Sequence, residues 1–208
     1  RKGLMGLTEF LNDENVKLEE IVHPSSFNKN LDVIQVDNQT DYRRRTLQQL
    51  ELYIKPLGAA TDKKMRDAFQ KLSEGPDENP SLHIEAREIQ ALRRSGGVIW
   101  FDFNALCGGP RSQNDYLEIA SQFHTVFLSG VPEMPVRLAS QARRFTWLVD
   151  VLYDRRVKFM MSAEVEPEKL YVEGPLAHEF FRTVSRLQEM QSAEYLEMEY
   201  RKVDTGLT

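Results

Sequence analysis

The sequence predicts an α/β fold in which a mostly parallel sheet is covered by helices. Two observations carry this. From residue 112 to 163, helical and extended patterns alternate, as in successive βαβ units. Within the run Val98-Ile99-Trp100-Phe101-Asp102-Phe103, apolar residues fall on both sides of the alternation, as expected of a strand covered on both faces. The length, 208 residues, suits one well-buried core with a small appended lobe, and 41% hydrophobic with 28% charged residues is the composition of a chain that folds.

Three segments are expected along the chain. Residues 1–30 are poorly defined. Leu4, Leu7, Phe10 and Leu11 have helical spacing, but Asn12–Asn15 and His23-Pro24 interrupt it. Residues 31–80 read as a strand over 31–37, a helical or mixed segment from Asp41 through Leu47, Leu50 and Tyr53 to Pro56, and a helix from Thr61 carrying Met65, Phe69 and Leu72. They end in the linker 73–80, Ser-Glu-Gly-Pro-Asp-Glu-Asn-Pro.

Residues 81–208 form the α/β core. A strand near Leu82–Ala86 and a turn at Arg93–Gly97 precede the apolar run at 98–103. The loop at Cys107-Gly108-Gly109-Pro110 leads to Ser112, which with Asp115 reads as a capping box for a helix presenting Tyr116, Ile119, Ala120 and Phe123. A strand at 124–128, a loop at 129–135, a helix carrying Phe145, Leu148, Val149, Leu152 and Tyr153, and a strand at 157–163 follow. One long helix is expected from near His178 to Tyr200.

Composition and motifs exclude several chemistries. The net charge of −5 disfavours non-specific binding to nucleic acid, which rests on neutralising phosphates. A single cysteine, Cys107, rules out an intrachain disulfide and a thiolate metal cluster, and fits reducing surroundings. Four dispersed histidines set out no metal-ligand spacing, so no metal site is expected. No apolar run is long enough to span a bilayer, and no membrane insertion is expected.

The Gly96-Gly97 and Gly108-Gly109 pairs lack the Lys-Ser/Thr that completes a phosphate loop. Asp102 ends an apolar strand, as does the acid that holds magnesium in nucleotide hydrolases, yet no phosphate loop precedes it and no Glu follows. Cys107 has no neighbouring base and reads as a packing residue.

Two arginine pairs remain. Arg143-Arg144 and Arg182-x-x-x-Arg186 sit on helices, where guanidinium groups either bind phosphate oxygens bidentately or make ordinary ion pairs. Asp150 and Asp154, four apart, read as surface acids.

Several blocks, in order, resemble the ZapE-type cell-division ATPases and their mitochondrial relatives among the AAA-type ATPases. They are Asp41-Tyr42-Arg43, Phe103-Asn104-Ala105-Leu106-Cys107, Asp115-Tyr116, Ala142–Tyr153, Val157-Lys158-Phe159 with Ser162-Ala163-Glu164, and Arg182–Met190. The similarity covers roughly residues 31–200 and matches a carboxy-terminal portion of that family.

The resemblance implies a partial P-loop NTPase-like architecture, ATP and Mg in the complete parent, a homo-oligomer, cell-division proteins as partners and a cytoplasmic location. It implies that Arg182 and Arg186 act in trans on, or support, a neighbouring nucleotide site, and that Arg143 and Arg144 contact the nucleotide. The family's phosphate loop and its acidic magnesium segment do not occur in this sequence, so the chain alone is expected to be inactive. A non-enzymatic protein-binding scaffold is the alternative.

Overall fold

The computed structural model describes residues 38–84 and 87–202. Contacts divide the chain at Asp41, and the unit from Tyr42 onward holds nearly all the described structure. In chain order the helices are α1 (Asn38–Gln48), α2 (Ala59–Leu72), α3 (Gln113–Gln122), α4 (Ala139–Asp154), α5 (Ala177–Glu189) and α6 (Ala193–Glu197). The strands are β1 (Tyr53–Ile54), β2 (Ser81–Ile84), β3 (Arg87–Gln90), β4 (Arg93–Ser95), β5 (Val98–Asp102), β6 (Thr125–Val131) and β7 (Lys158–Ala163).

The main sheet runs in the order β1-β7-β6-β5-β4. Strands β1, β7, β6 and β5 are parallel, and β4 returns antiparallel on the far edge. The mostly parallel sheet therefore forms as its pattern predicts. Strands β2 and β3 pair as a separate antiparallel hairpin.

Because both faces of the sheet are covered, the three inner strands carry apolar residues on both sides of their period-two alternation. Ile99, Phe101, Val126, Leu128, Phe159 and Met161 join one core, shared with α3, α4 and α5. Val98, Trp100, Phe127 and Met160 join the other, shared with α2 through Met65, Ala68, Phe69 and Leu72. Its centre is aromatic: Phe69 meets Phe127 edge-on at 5.3 Å and tilts against Trp100 at 5.8 Å.

Several expectations need correction. Residues 1–37, including the strand expected at 31–37, lie outside the described residues. Tyr53 does not close a helix. The helix ends at Gln48, and Tyr53 pairs with Met161, because an open edge of β7 offers backbone hydrogen bonds that no local pattern reveals. Arg93–Ser95 are strand rather than turn, leaving the reversal to Gly96-Gly97, where Gly96 has φ +55°. Strand β6 extends through Ser129-Gly130-Val131 past a register shift.

The last helix is broken. Ser192 accepts the Tyr195 N–H and starts α6, which lets the Tyr195 ring stack on Tyr153 and its hydroxyl reach the carbonyl of Val157 at 3.2 Å. The buried Lys158 amine then holds the end of α6, donating to the carbonyls of Tyr195 and Met198 at 2.8 and 2.7 Å.

Residues 73–80 carry no regular structure and are tied to β4. Arg93 grips Asp77 with two bonds of 2.7 and 2.8 Å, and Arg94 pairs with Glu78 at 3.2 Å. The carboxylates of Glu74 and Glu78 accept the N–H groups of Gly97 and Gly96, both at 2.8 Å, closing the β4–β5 turn. The His124 ring lies over Gly97 so closely that a Cβ there would stand 2.3 Å from its Nε2. His124 also meets Glu74 at 3.1 Å and Thr125 at 2.9 Å, Glu74 pairs with Arg43, and Tyr200 covers the ring edge-on.

Burial pushes the His124 imidazolium below its ordinary range, Arg43 adds to this, and Glu74 opposes it. Burial also opposes ionisation of Glu74, but the Gly97 N–H, His124 and Arg43 outweigh it and hold the carboxyl below its usual value.

A depressed His binds fewer protons in the folded state than in the unfolded one. Stability is therefore expected to fall as pH drops below about 6.5, with Glu74 still ionised. Urea unfolding at pH 7.5 and pH 5.5 should show this slope, and His124→Gln should flatten it. An unchanged slope would remove His124 as its source. Phe127→Ala should cost about 3–5 kcal/mol by the same measurement. Phe181→Ala, at a site 69% exposed, should stay within about 0.5 kcal/mol.

Candidate functional site

In an open α/β sheet, ligands meet the carboxyl ends of the parallel strands. At the end of β5 the chain passes Asp102 and enters a π-helical turn, Asn104–Gly108, before α3. This turn exposes backbone carbonyls to a partly apolar setting of Phe103, Leu106 and Cys107, and each carbonyl needs a donor.

Side chains supply the donors. The Tyr116 hydroxyl donates to Leu106 O at 2.8 Å. Arg111 Nε donates to Ala105 O at 3.0 Å, Arg144 Nε to Cys107 O at 2.7 Å, and Arg87 Nη1 to Pro110 O at 3.1 Å. Asp102 Oδ1 accepts the Asn104 N–H at 2.9 Å and fixes the entry. Thus Asp102 serves the backbone at a strand terminus.

The positive end of α3 is already filled. The capping box forms as its spacing predicts, with Asp115 Oδ2 accepting the Ser112 N–H at 2.6 Å. Asp115 Oδ1 accepts from Arg87 Nη2 at 2.8 Å, and Asp115 is fully buried. An internal carboxylate holds the place where a phosphate would sit at a helix N-terminus.

Cys107 is buried, and burial pushes its thiol far above the ordinary range. Arg144 and the Tyr116 hydroxyl only partly oppose this, so the sulfur is a packing atom rather than a nucleophile. Among the described residues, no three His, Cys, Asp or Glu side chains gather to hold a metal ion.

The arginines singled out in the sequence occupy separate places. On α5, Arg182 and Arg186 are one turn apart and face Asp150 and Asp154, one turn apart on α4. Arg182 Nη2 meets Asp150 Oδ2 at 2.7 Å, Arg186 Nη1 meets Asp150 Oδ1, and Arg186 Nη2 reaches Asp154 at 3.5 Å. The Arg186 guanidinium also lies 4.8 Å from the Tyr153 ring centre. Asp150 is only 15% exposed and bridges both arginines, while Arg182 is 62% exposed. This acid is a helix-packing group rather than an ordinary surface charge.

Arg144 joins the β5 turn instead, and its neighbour Arg143 is exposed. Asp150 lies six residues beyond Arg144, about 9 Å along the helix. Arg87 and Arg111 are two further residues of the turn that the sequence motifs do not single out. Arg111 directly follows Gly108-Gly109-Pro110, a local signal for a loop cation, whereas Arg87 on β3 carries no local signal.

Residues 22–199 match the family described as AFG1-like ATPase. The chain is 43% identical over 170 residues to "Cell division protein ZapE" of Escherichia coli strain K12, covering 81% of this chain and 45% of that protein. It is 31% identical over 148 residues to "Uncharacterized protein C115.02c" of Schizosaccharomyces pombe, covering 70% of this chain and 33% of that protein. The chain thus spans less than half the length of these curated relatives. No solved structure matches it.

The α4–α5 seam can be tested by a double-mutant cycle. Arg186→Ala should cost about 1–3 kcal/mol, since it strips the largely buried Asp150 of one of its two cations. The largely exposed Arg182 should cost no more than about 1 kcal/mol when replaced by Ala. Chemical denaturation of both single variants and the double reads the coupling, and equal costs for the two singles would contradict the burial argument.

Proposed function

Because the chain belongs to the AFG1-like ATPase family, we propose that it is the carboxy-terminal portion of an oligomeric ATPase that couples ATP hydrolysis to remodelling of cell-division proteins. One observation carries this reading: 43% identity over 170 residues with an Escherichia coli protein named for cell division. The cytoplasmic setting is part of the same proposal. Among the described residues, no helix is long and apolar enough to cross a membrane.

The family implies ATP and Mg, but the described residues do not fit a complete site for them. The α3 N-terminus is occupied by Asp115, and the sequence contains no phosphate loop. In this reading the chain contributes shape and positive charge to a catalytic unit built elsewhere in the protein. Arg182 and Arg186 act as supports, because their ion pairs to Asp150 seat α5 on α4. Arg143 and Arg144 are assigned to the nucleotide contact on the family likeness; Arg144 donates to the Cys107 carbonyl and Arg143 is exposed.

The filled α3 N-terminus also favours a second reading, a protein-binding scaffold without hydrolysis. ATP turnover separates the two. A longer protein containing this chain should hydrolyse ATP with magnesium, and the 208-residue chain should not. Robust turnover by the chain alone, or none by the folded longer protein, would overturn the division of labour, and the second outcome would favour the scaffold.

A further inference from the structure

Among the described residues, two charged side chains are buried, Asp115 and Lys158. Asp115 has a cation opposite it, Arg87. Lys158, 8% exposed at the start of β7, is answered by carbonyls rather than a carboxylate: its amine donates to Tyr195 O at 2.8 Å and Met198 O at 2.7 Å. The charged groups that act on it are cations, Arg44 on α1 and Arg156 in the turn after α4. From the β6 side it is faced by Thr125 in register, and its backbone N–H goes to the His124 carbonyl.

Both carbonyls belong to one segment, residues 192–201, which lies over the amino ends of β6 and β7. Leu196 ties this segment into an apolar cluster with Leu47 of α1 and Leu52. Tyr200 donates its hydroxyl to Ala120 O of α3 at 2.7 Å and covers the His124 ring. The Arg201 N–H donates to Arg155 O, just after α4, at 2.9 Å.

The segment supplies the cover as well as the acceptors, so the cost of burying the Lys158 charge falls on its docking. An ammonium brings three N–H donors to two carbonyls, whereas a neutral amine brings two. The Tyr195 ring centre, 4.9 Å from the amine, favours the cation. Burial outweighs it and, with Arg44 and Arg156, pushes the amine from its ordinary 10.5 down to about 8.

We propose that residues 192–201 form a proton-linked latch, which docks more tightly on the neutral Lys158 amine than on the ammonium and so ties α1, α3 and α4 together more firmly as the proton leaves. The amine binds fewer protons under the latch than in water. Docking therefore strengthens as pH rises from about 8 toward 10.5, and is level just below about 8. His124, faced by Glu74, Arg43, Thr125 and Tyr200, is depressed as well and adds a separate step of the same sign below about 6.5.

A nitroxide on Glu197→Cys in α6 reads the latch, since Glu197 is exposed and Cys107 is buried away from the label. A second chain carries the nitroxide on Glu179→Cys, exposed on α5. Both chains are held in urea below the unfolding transition and followed by electron paramagnetic resonance from pH 7 to 10. The mobile-to-immobile ratio at 197 should stay level to about pH 8 and then fall by up to about tenfold per pH unit. The ratio at 179 should not move. In the 197-labelled chain, Lys158→Gln, an amide with no charge to lose, should be flat over the whole range, and His124→Gln should keep the step.

Lys158→Met takes the place of a Gln variant that circular dichroism shows to be unfolded. A step lost with Lys158 and kept without His124 establishes the latch. A level profile at 197, an identical fall at 179, or a step that survives replacement of Lys158 overturns it.

Discussion

Strands β5, β6 and β7 are parallel, adjacent and buried on both faces, and the rest of the structure follows from covering them. A parallel pair cannot be closed by a tight turn, so each step between these strands passes through a helix. Helices α3 and α4 therefore cover one face, and α2 covers the other. The alternation of Ile99 and Phe101 with Val98 and Trp100 divides a single apolar strand between two cores. The same division brings Phe69, Trp100 and Phe127 into one aromatic cluster on the α2 side.

That constraint also creates the local problem solved at the β5 turn. A strand leaving a doubly covered sheet must turn toward its helix while its carbonyls are still shielded from water. Here the turn takes a π-helical form, and donors come to it from α3 (Tyr116), the loop before α3 (Arg111) and α4 (Arg144), while Arg87 from β3 holds the loop just beyond it at Pro110. Rigidity and positive charge arrive together, because guanidinium groups are among the donors. Asp115 neutralises one of them and caps α3 at the same time. The other two, Arg111 and Arg144, spend an N–H on the carbonyls of Ala105 and Cys107 instead of on an acid.

The α4–α5 seam shows the opposite use of the same residue type. Arg182 and Arg186 are matched by Asp150 and Asp154 at equal spacing, so the charges are spent on holding helices together. From sequence, Arg143-Arg144 and Arg182-x-x-x-Arg186 offered the same two uses. What separates them is whether a carboxylate on a neighbouring element comes within reach. That depends on helix packing, not on either helix alone.

By itself, the sequence determined the elements whose cause is local or periodic: the parallel core, the α3 capping box, the stripes of α2 and α4, and the absence of a phosphate loop. Its ordered motifs also pointed to the family. The tertiary structure alone decided that Tyr53 pairs as a strand, that Ser192 breaks the last helix, and that Arg87 and Arg111 meet Arg144 at one turn. The physical reason is the range of the interactions. Helical stripes and caps act over a few residues, whereas an open strand edge, an unpaired carbonyl or a buried carboxylate selects its partner from anywhere the fold brings near.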